Sequence, residues 1–470
     1  MHKHTKIVVT IGPATESEAI IEQLIHSGMN VARFNTKHGT PEWHKERMQR
    51  VRQIADKLGK PIAILLDLQG PEIRLNVPNG DGFEVVMNDE VVFSSQSQEV
   101  LAKTHAAQIP QLVVEALQVG NNILVDDGLG EFEVVKKEKD LLVARALGNF
   151  KVGHRKTLNT PGVTIDMPSL IANDLEQLDG ASNDFVDFVG LSFVRNAQDI
   201  AILRKELEKR SLEAAVVAKI ENQAAIDHID EIITAADAVM VARGDLGVEL
   251  PFVQLAFLQK MLIQKSREQA KPVITATQML KSMVNSPRPT RAEVTDVANA
   301  VYDGTDAVML SEETTIGKFP VEAVATQAKI VKFNEEHAQP DCVFEPNQDF
   351  TSAITFSAID LLETTDVKIN KIVCLTETGR TAQLLSRFRP QSDIFAVTND
   401  HNTYQQLALS YGVTPFLLGS ESAEKNNFKD LIELMKKAGV VEKGETILFI
   451  HGKNMIKRAM TNTLSLLMIE

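Results

Sequence analysis

Short apolar runs alternate with amphipathic stretches at both ends of the first 340 or so residues. Three apolar runs, at residues 6–12, 31–35 and 61–68, are separated by segments whose apolar positions recur every three or four residues. This recurrence is typical of amphipathic helices, whereas short continuous apolar runs are typical of parallel strands buried on both faces. The pattern therefore predicts repeated strand–helix units.

The repeat is interrupted and then resumes. Residues 71–165 instead contain short alternating strands separated by Gly, Asn and Asp turns, which predict an inserted β-rich domain. Further apolar runs follow at residues 187–194, 215–221, 238–244, 272–277 and 306–310. Eight strand–helix units spaced about 30 residues apart predict a (β/α)8 barrel built from residues 1–70 and 166–338. A doubly wound open sheet is the alternative, and the barrel is favoured because polar residues follow nearly every strand.

A polar linker precedes a third predicted unit, residues 350–470. Its apolar runs at 371–377, 393–399, 413–419, 445–452 and 463–469, separated by helical segments, predict a C-terminal α/β domain. We therefore expect an α/β protein consisting of a TIM barrel, an inserted β-rich lid domain and a C-terminal α/β domain.

Composition narrows the class of protein. The 470 residues are 44% hydrophobic and carry a formal net charge of −14, which argues against nucleic-acid binding. Two cysteines favour a reducing, cytoplasmic location over a disulfide framework. The chain has no apolar run of transmembrane length and no apolar region typical of a signal peptide, so we expect no membrane contact.

Charged residues follow two neighbouring strands of the predicted barrel. Lys219 and Glu221 are two residues apart at the end of one strand and so share a face. Arg243, Gly244 and Asp245 end the next strand. Two carboxylates beside a lysine are suited to hold a divalent metal next to a reacting anion, although a structural salt bridge is the alternative interpretation.

The other strand ends carry further cations, acids and hydroxyls. They are Arg33, Asn35, Lys37 and His38; Asp67, Glu72 and Arg74; Ser192 and Arg195; Thr275 and Thr277; and Ser311, Glu312 and Glu313. Phosphoryl transfer needs this mixture, because its catalysis is mostly positioning and charge neutralisation. The sequence contains no complete P-loop, zinc motif or Gly-x-Ser-x-Gly elbow, so those enzyme classes are not indicated.

Several motifs together resemble the pyruvate kinase family. They include KIVVTIGPAT, LLDLQGPEIRL, AKIEN, VMVARGDLGVELP and SPRPTRAE, and the similarity extends over essentially all 470 residues. The resemblance implies transfer of phosphate from phosphoenolpyruvate to ADP, giving pyruvate and ATP, with Mg²⁺ or Mn²⁺ as cofactor. It also implies a homotetramer.

The resemblance further implies roles for individual residues. Glu221 and Asp245 would bind the divalent metal, while Lys219, Arg33 and Thr277 would act in catalysis, Thr277 with a water near Ser311 and Glu313. The remaining roles are phosphoenolpyruvate binding by Arg33, Ser192, Gly244, Asp245 and Thr277, and nucleotide binding by Asn35, His38, Arg74 and Lys156, the last on the lid.

Four positions depart from the family pattern. The resemblance implies a potassium site at Asn35 and Asp67, but Lys37 stands where a serine ligand is usual, and Leu68-Gln69 replace threonine-lysine. We hypothesise that the Lys37 ammonium replaces potassium near Asp67, although Glu72 is a residue that accompanies potassium dependence in the family. Glu312 replaces a glycine, with no predicted consequence.

The C-terminal domain contains a candidate effector loop. Thr376, Thr378, Gly379, Arg380 and Thr381 resemble a phosphate-binding turn for a sugar-phosphate effector. Glu377 would oppose such a ligand, whereas Lys453, Lys457 and Arg458 could assist. The structural alternative is a helix cap beside a basic turn.

Two other functions stay open from the sequence. A magnesium-dependent pyruvate-enolate aldolase or lyase would share the Glu/Asp metal pair but would not need Arg74 and Lys156. A non-catalytic regulatory paralogue is the second alternative, suggested by Lys37, Leu68 and Glu312.

Overall fold

The computed structural model describes residues 3–78, 80–96, 105–338, 349–418, 428–452 and 460–470. Strands and helices alternate at the start as predicted: β1 (Lys6–Thr10), α1 (Glu18–Ser27), β2 (Val31–Asn35), α2 (Pro41–Leu58) and β3 (Ala63–Asp67). Helix α2 begins after Thr40, whose side chain accepts a hydrogen bond from the Trp43 N–H, and ends at Gly59 in a left-handed conformation. All three strands are buried almost throughout, which explains their continuous apolar sequences.

The inserted residues form a separate β-rich unit. Its elements are β4 (Phe83–Val85), β5 (Glu90–Ser94), β6 (Ala106–Gln108), α3 (Gln111–Ala116), β7 (Asn122–Val125), β8 (Gly130–Lys137), β9 (Leu141–Ala146), β10 (Phe150–Val152) and β11 (Leu158–Asn159). Six strands form a sheet in the order β11-β7-β8-β9-β5-β6, and β10 pairs with β4. Phe132 fills the core of this unit and contacts Phe93 and Phe150 edge to face, each at 5.1 Å between ring centroids.

The barrel resumes after the insertion. Its elements are α4 (Ala172–Asp179), β12 (Phe188–Leu191), α5 (Ala197–Lys209), β13 (Ala215–Ile220), α6 (Gln223–Asp227), α7 (Ile229–Ala235), β14 (Ala238–Ala242), α8 (Arg243–Glu249), α9 (Leu255–Glu268), β15 (Val273–Ala276), α10 (Arg291–Tyr302), β16 (Ala307–Leu310), α11 (Glu312–Thr315) and α12 (Pro320–Glu335). Short 3₁₀ helices lie at Phe252–Gln254 and Lys281–Val284.

The eight barrel strands are parallel and close on themselves. Their order is β1-β16-β15-β14-β13-β12-β3-β2, and closure pairs Lys6 with Ala307. The prediction of a (β/α)8 barrel interrupted after its third strand is therefore confirmed, and the open-sheet alternative is wrong. Gly12 follows β1 where a Cβ would lie 2.6 Å from the Thr315 Cβ, so this close approach requires glycine.

The C-terminal α/β domain consists of α13 (Phe350–Thr364), β17 (Lys371–Leu375), α14 (Arg380–Ser386), β18 (Asp393–Thr398), α15 (His401–Gln406), a 3₁₀ turn at Leu407–Leu409, β19 (Val413–Leu417), α16 (Phe428–Lys437), β20 (Thr446–Gly452) and β21 (Thr461–Met468). Its sheet has the order β19-β18-β17-β20-β21, with β21 antiparallel at the edge.

This domain packs against the amino ends of the barrel strands. Arg389 forms a buried ion pair of 2.7 Å with Asp306, just before β16, and the Lys6 ammonium donates to the Val413 carbonyl at 2.7 Å. The carboxyl ends of the strands therefore face away from this domain and towards the inserted β-rich unit. None of the described helices combines the length and apolar character needed to cross a membrane.

Candidate active site

A cavity of about 730 Å³ opens between the carboxyl ends of the barrel strands and the inserted β-rich domain. Of the residues predicted from sequence, its lining includes Lys37, His38, Glu72, Arg74, Lys156, Arg195, Gly244, Asp245, Thr277, Ser311, Glu312 and Glu313. A second group of predicted residues does not line the cavity, namely Arg33, Asn35, Asp67, Ser192, Lys219, Glu221 and Thr275. All of this second group except Asn35 are buried.

Lys219 is the centre of the buried group. Its Nζ lies 3.0 Å from Glu221 Oε1 and 3.3 Å from Asp67 Oδ1, and it donates a hydrogen bond of 2.6 Å to Ser192 Oγ. The Ser192 hydroxyl in turn donates to the Leu68 carbonyl at 2.7 Å. The structure therefore places Ser192 behind Lys219, as a residue that orients the ammonium.

Burial and charge oppose one another around this lysine. Burial by itself would lower the pKa of Lys219, but the Asp67 and Glu221 carboxylates raise that pKa above its ordinary value. Burial raises the pKa of Glu221, and the charge of Asp245 adds to that rise while Lys219 opposes it. Glu221 and Asp245 are thus close enough to repel each other, which a divalent cation between them would relieve.

Arg33 is held by Asp67 and by β1. Its Nε and Nη2 atoms lie 2.7 and 2.6 Å from Asp67 Oδ2, and its Nη1 donates to Thr10 Oγ1 at 2.9 Å. Burial would raise the pKa of Asp67, but Lys219 and Arg33 lower it below its usual range. Asp67 is therefore ionised and pairs with two cations, Arg33 and Lys219.

Thr277 occupies a left-handed backbone conformation with φ of 69°, which is strained for a β-branched residue. Its hydroxyl accepts a hydrogen bond of 3.0 Å from the Gly244 N–H, so the two predicted substrate-binding residues contact each other. The Gly244 N–H, which the resemblance implies for phosphoenolpyruvate, is therefore already engaged within the protein.

Arg243 maintains this geometry. Its guanidinium donates to the Ala276 and Thr277 carbonyls at 3.1 and 2.6 Å and pairs with Asp296 at 2.7 Å. The sequence places Arg243 at a strand end without indicating a function, because its partners, which also include Gln259 and Met279, come from other parts of the chain.

Glu72 binds two cations at the mouth of the cavity. Its Oε1 lies 3.0 Å from Lys37 Nζ, and its Oε2 accepts from the Arg74 Nη2 and Nε at 2.6 and 2.9 Å. The hypothesis that Lys37 lies against Asp67 is therefore corrected: its carboxylate partner is Glu72. In the inserted β-rich domain, Lys156 pairs with Asp126 at 2.9 Å.

Ser311 and the two acids after it take different positions. Glu313 is buried and accepts hydrogen bonds from the Leu280 and Ser311 N–H groups at 3.0 and 2.8 Å. The Ser311 hydroxyl is buried and has no hydrogen-bond partner among the described residues, which leaves it available to the predicted water. Glu312 forms an ion pair with Lys281 across the cavity mouth.

Asp174 is a functional candidate that sequence analysis missed. One of its carboxylate oxygens accepts from the Gln69 and Gly70 N–H groups at 2.9 and 3.2 Å, at the point where the chain leaves the barrel for the inserted β-rich domain. The other oxygen accepts from the Ile171 N–H at 3.0 Å. An acid at the third residue of a helix is typical of a capping box, so this sequence pattern could have identified Asp174.

The predicted effector residues do not share one surface. Thr381 is buried and its hydroxyl contacts that of Thr461 at 2.8 Å, while Arg380 donates to the Gln269 carbonyl of the barrel at 3.0 Å. Thr378 and Arg380 line a second cavity of about 770 Å³ between the barrel and the C-terminal domain. Lys453, Lys457 and Arg458 lie outside the described residues.

A buried lysine between carboxylates lies beside a cavity that is bordered by cations and by the inserted β-rich domain, an arrangement suited to phosphoryl transfer by a barrel enzyme. Two family descriptions match the chain: "Pyruvate kinase, barrel domain" over residues 2–324 and "Pyruvate kinase, alpha/beta domain" over residues 352–467.

Individual relatives agree with these matches. The chain is 41% identical to a pyruvate kinase of Thermococcus litoralis, covering 100% of this chain and 99% of the relative. It is 38% identical to a pyruvate kinase of Staphylococcus epidermidis, covering 99% of this chain and 80% of the relative. A crystal structure of a pyruvate kinase from Cryptosporidium parvum superposes with a TM-score of 0.91 at 31% identity, covering 100% of this chain and 96% of that one. The chain belongs to the pyruvate kinase family of phosphotransferases, which confirms the resemblance seen in the sequence.

Proposed function

We propose that the chain transfers the phosphoryl group of phosphoenolpyruvate to ADP at this site. The bond between phosphorus and the enol oxygen breaks, a bond to the terminal ADP phosphate oxygen forms, and the enolate takes up a proton at carbon to give pyruvate. The observation that carries the proposal is the Lys219 ammonium, buried between Glu221 at 3.0 Å and Asp67 at 3.3 Å beside the cavity. A fixed cation there would stabilise the charge on the phosphoryl group as it moves.

Glu221 and Asp245 would hold Mg²⁺ or Mn²⁺. Among the residues that the structure describes, no group of three or more acids, histidines and cysteines is arranged to hold a metal. Two carboxylates would therefore leave the other coordination positions to water and substrate oxygens, as magnesium prefers. The bound ion would supply charge neutralisation at the phosphate.

Arg74 and Lys156 would bind the nucleotide phosphates by exchanging partners. Their side chains are 42% and 45% exposed, and their present partners are the nearby carboxylates Glu72 and Asp126. Asp126 is 28% exposed and Glu72 only 8%, so an arriving phosphate should replace the partner of Lys156 more readily than the partner of Arg74. Asn35 and His38 would assist on the barrel side, and residues 71–165 would act as the lid.

Thr277 is proposed to protonate the enolate, with a water held by the unpartnered Ser311 hydroxyl. Arg33 is proposed to contact the transferred phosphate, although all three of its nitrogens have partners on Asp67 and Thr10 before substrate binds. The Gly244 N–H is proposed to exchange Thr277 Oγ1 for the substrate carboxylate, and Asp245 is proposed to bind the substrate through the metal.

The assignment of the metal ligands is tested by Mn²⁺ binding followed by electron paramagnetic resonance. Glu221→Gln and Asp245→Asn should each abolish or greatly weaken binding and lower kcat by roughly 10²-fold or more. Glu208→Gln, an exposed acid on α5, is the matched control and should bind as the unmodified protein does. Undiminished Mn²⁺ affinity in both site variants would contradict the assignment.

We also propose that the chain works in the cytoplasm as a homotetramer and responds to a sugar-phosphate effector. Phe252, Val253 and Phe257 are 79%, 73% and 69% exposed on the barrel surface, an apolar patch that a second copy would cover. The edge strand β21 offers a second such surface. Light scattering of Phe257→Ser tests whether the apolar patch joins two copies of the chain. A thermal shift with a sugar bisphosphate tests whether the cavity at Thr378 and Arg380 binds an effector.

A further inference from the structure

The residues at the family's potassium position do not suit a monovalent cation in this chain. Such an ion needs several oxygen ligands. Leu68 supplies a buried aliphatic side chain, and the Asp67 carboxylate already faces Arg33 and Lys219. The Asn35 side-chain oxygen accepts from the Lys37 N–H at 3.2 Å, and the Lys37 side chain itself carries a positive charge.

Lys37 instead completes a row of three charged groups. Its Nζ lies 3.0 Å from one oxygen of Glu72, and the Arg74 guanidinium lies 2.6 Å from the other. The same ammonium lies 5.9 Å from the centre of the Phe193 ring, whose backbone N–H donates to the proposed metal ligand Glu221 at 2.7 Å. The row therefore runs along the cavity from the nucleotide-binding arginine towards the metal site.

Charge counting shows what Lys37 adds. Without it, Glu72 and Arg74 would cancel, and the cavity wall between the proposed nucleotide and metal sites would be neutral. With it, two cations face one carboxylate and the row keeps one net positive charge. Burial would raise the pKa of Glu72, but Lys37 and Arg74 lower it, so the carboxylate stays ionised and both cations stay paired.

We propose that the Lys37 ammonium takes the place of a monovalent cation in the reaction, so that this chain needs no potassium. The proposal deepens the proposed phosphoryl transfer and depends on it. A diffusible cation beside Lys37 would also meet like-charge repulsion, which in a partly buried site weakens its binding.

The test compares rates of pyruvate formation in tetramethylammonium chloride and in KCl at equal ionic strength. The unmodified protein should work equally well in both salts. Lys37→Ser should lose roughly 10²-fold in the potassium-free buffer, the scale found when one stabilising group is removed, and should regain activity with KCl. A potassium requirement in the unmodified protein, or potassium-free activity in Lys37→Ser, would overturn the proposal. No activity of the unmodified protein in either salt would instead count against the proposed function.

A binding measurement is independent of turnover. Trp43 is the only tryptophan of the chain, and it packs against the turn that carries Lys37: a Cβ on Gly39 would lie 3.3 Å from its ring. Potassium should change Trp43 fluorescence saturably in Lys37→Ser and leave the unmodified protein unaffected. Lys205→Ser, at an exposed lysine on α5, is the control for loss of a lysine and should behave as the unmodified protein.

A charge-relocation variant separates the role of the charge from the role of the residue. Lys37→Ser combined with Glu72→Lys returns an ammonium to the same row at the neighbouring position. It should restore potassium-free activity relative to Lys37→Ser alone. If circular dichroism shows the double variant folded and it still requires potassium, a positive charge in this row does not replace the monovalent cation and the proposal fails.

Discussion

Removing the Ser192 hydroxyl tests whether the orientation of the Lys219 ammonium matters for catalysis. In Ser192→Ala the ammonium loses its 2.6 Å hydrogen bond to Ser192 Oγ but keeps Glu221 at 3.0 Å and Asp67 at 3.3 Å. Lys219 stays charged and buried, so the change affects where the ammonium points and leaves the charge of the site intact.

The expected fall in kcat follows from these contacts. A hydrogen bond to a charged group is worth about 1.5–3 kcal/mol. Because two carboxylates still hold Lys219, we expect the lower end, about 1.5 kcal/mol of transition-state stabilisation, or roughly a tenfold fall in kcat. The KM for phosphoenolpyruvate should change little, because Ser192 is buried behind Lys219 and does not line the cavity.

Steady-state kinetics with a coupled pyruvate assay measures both parameters. Ser386→Ala is a matched control, since Ser386 is equally buried at 2% exposure and also donates a 2.7 Å hydrogen bond to a carbonyl, that of Tyr411. Both variants should lose a similar amount of thermal stability, but only Ser192→Ala should lose kcat. A raised KM with unchanged kcat would show that Ser192 binds substrate directly and would refute this reasoning.

Two further predictions concern groups around the cavity. Arg243→Lys should lower kcat by roughly tenfold or more, because a lysine cannot hold the strained Thr277 backbone through several carbonyl contacts. Arg204→Lys on the surface is the control and should have no effect. Equal kinetics of the two variants would contradict this role of Arg243. Burial raises the pKa of Glu249 despite a hydrogen bond from Asn159, so ionised Glu249 destabilises the fold as pH rises through that pKa. Glu249→Gln should therefore raise the melting temperature at neutral pH, by an amount that shrinks towards pH 4; a pH-independent difference would argue against this cause.

Hydrophobic periodicity predicted the barrel well because each strand is short, buried and continuous. Once the strands were assigned, Lys219 and Asp245 could be placed at one edge of the barrel, since β13 and β14 are neighbours and their carboxyl ends share that edge. Periodicity also predicted that the barrel is interrupted after its third strand, because the sequence there changes from helical spacing to alternation.

The partners of long side chains and the positions of backbone strain could not be predicted from such patterns. Lys37 reaches Glu72 and not Asp67, a choice between two acids that only the three-dimensional path of the loops decides. The left-handed conformation of Thr277 could not be predicted, because threonine at a strand end normally stays extended. The orientation of Arg380 towards the barrel could not be predicted either, because its partner, the Gln269 carbonyl, comes from a distant part of the sequence.

The most direct test of the proposed chemistry is the joint measurement of pyruvate and ATP formed from phosphoenolpyruvate and Mg²⁺, with and without ADP, by the unmodified protein and by Lys219→Met. We predict equal amounts of pyruvate and ATP, formed only when ADP is present, and almost none from Lys219→Met. Pyruvate formed without ADP would instead favour an enolate-forming aldolase or lyase. Absence of both products from the unmodified protein would contradict the account and favour a non-catalytic role.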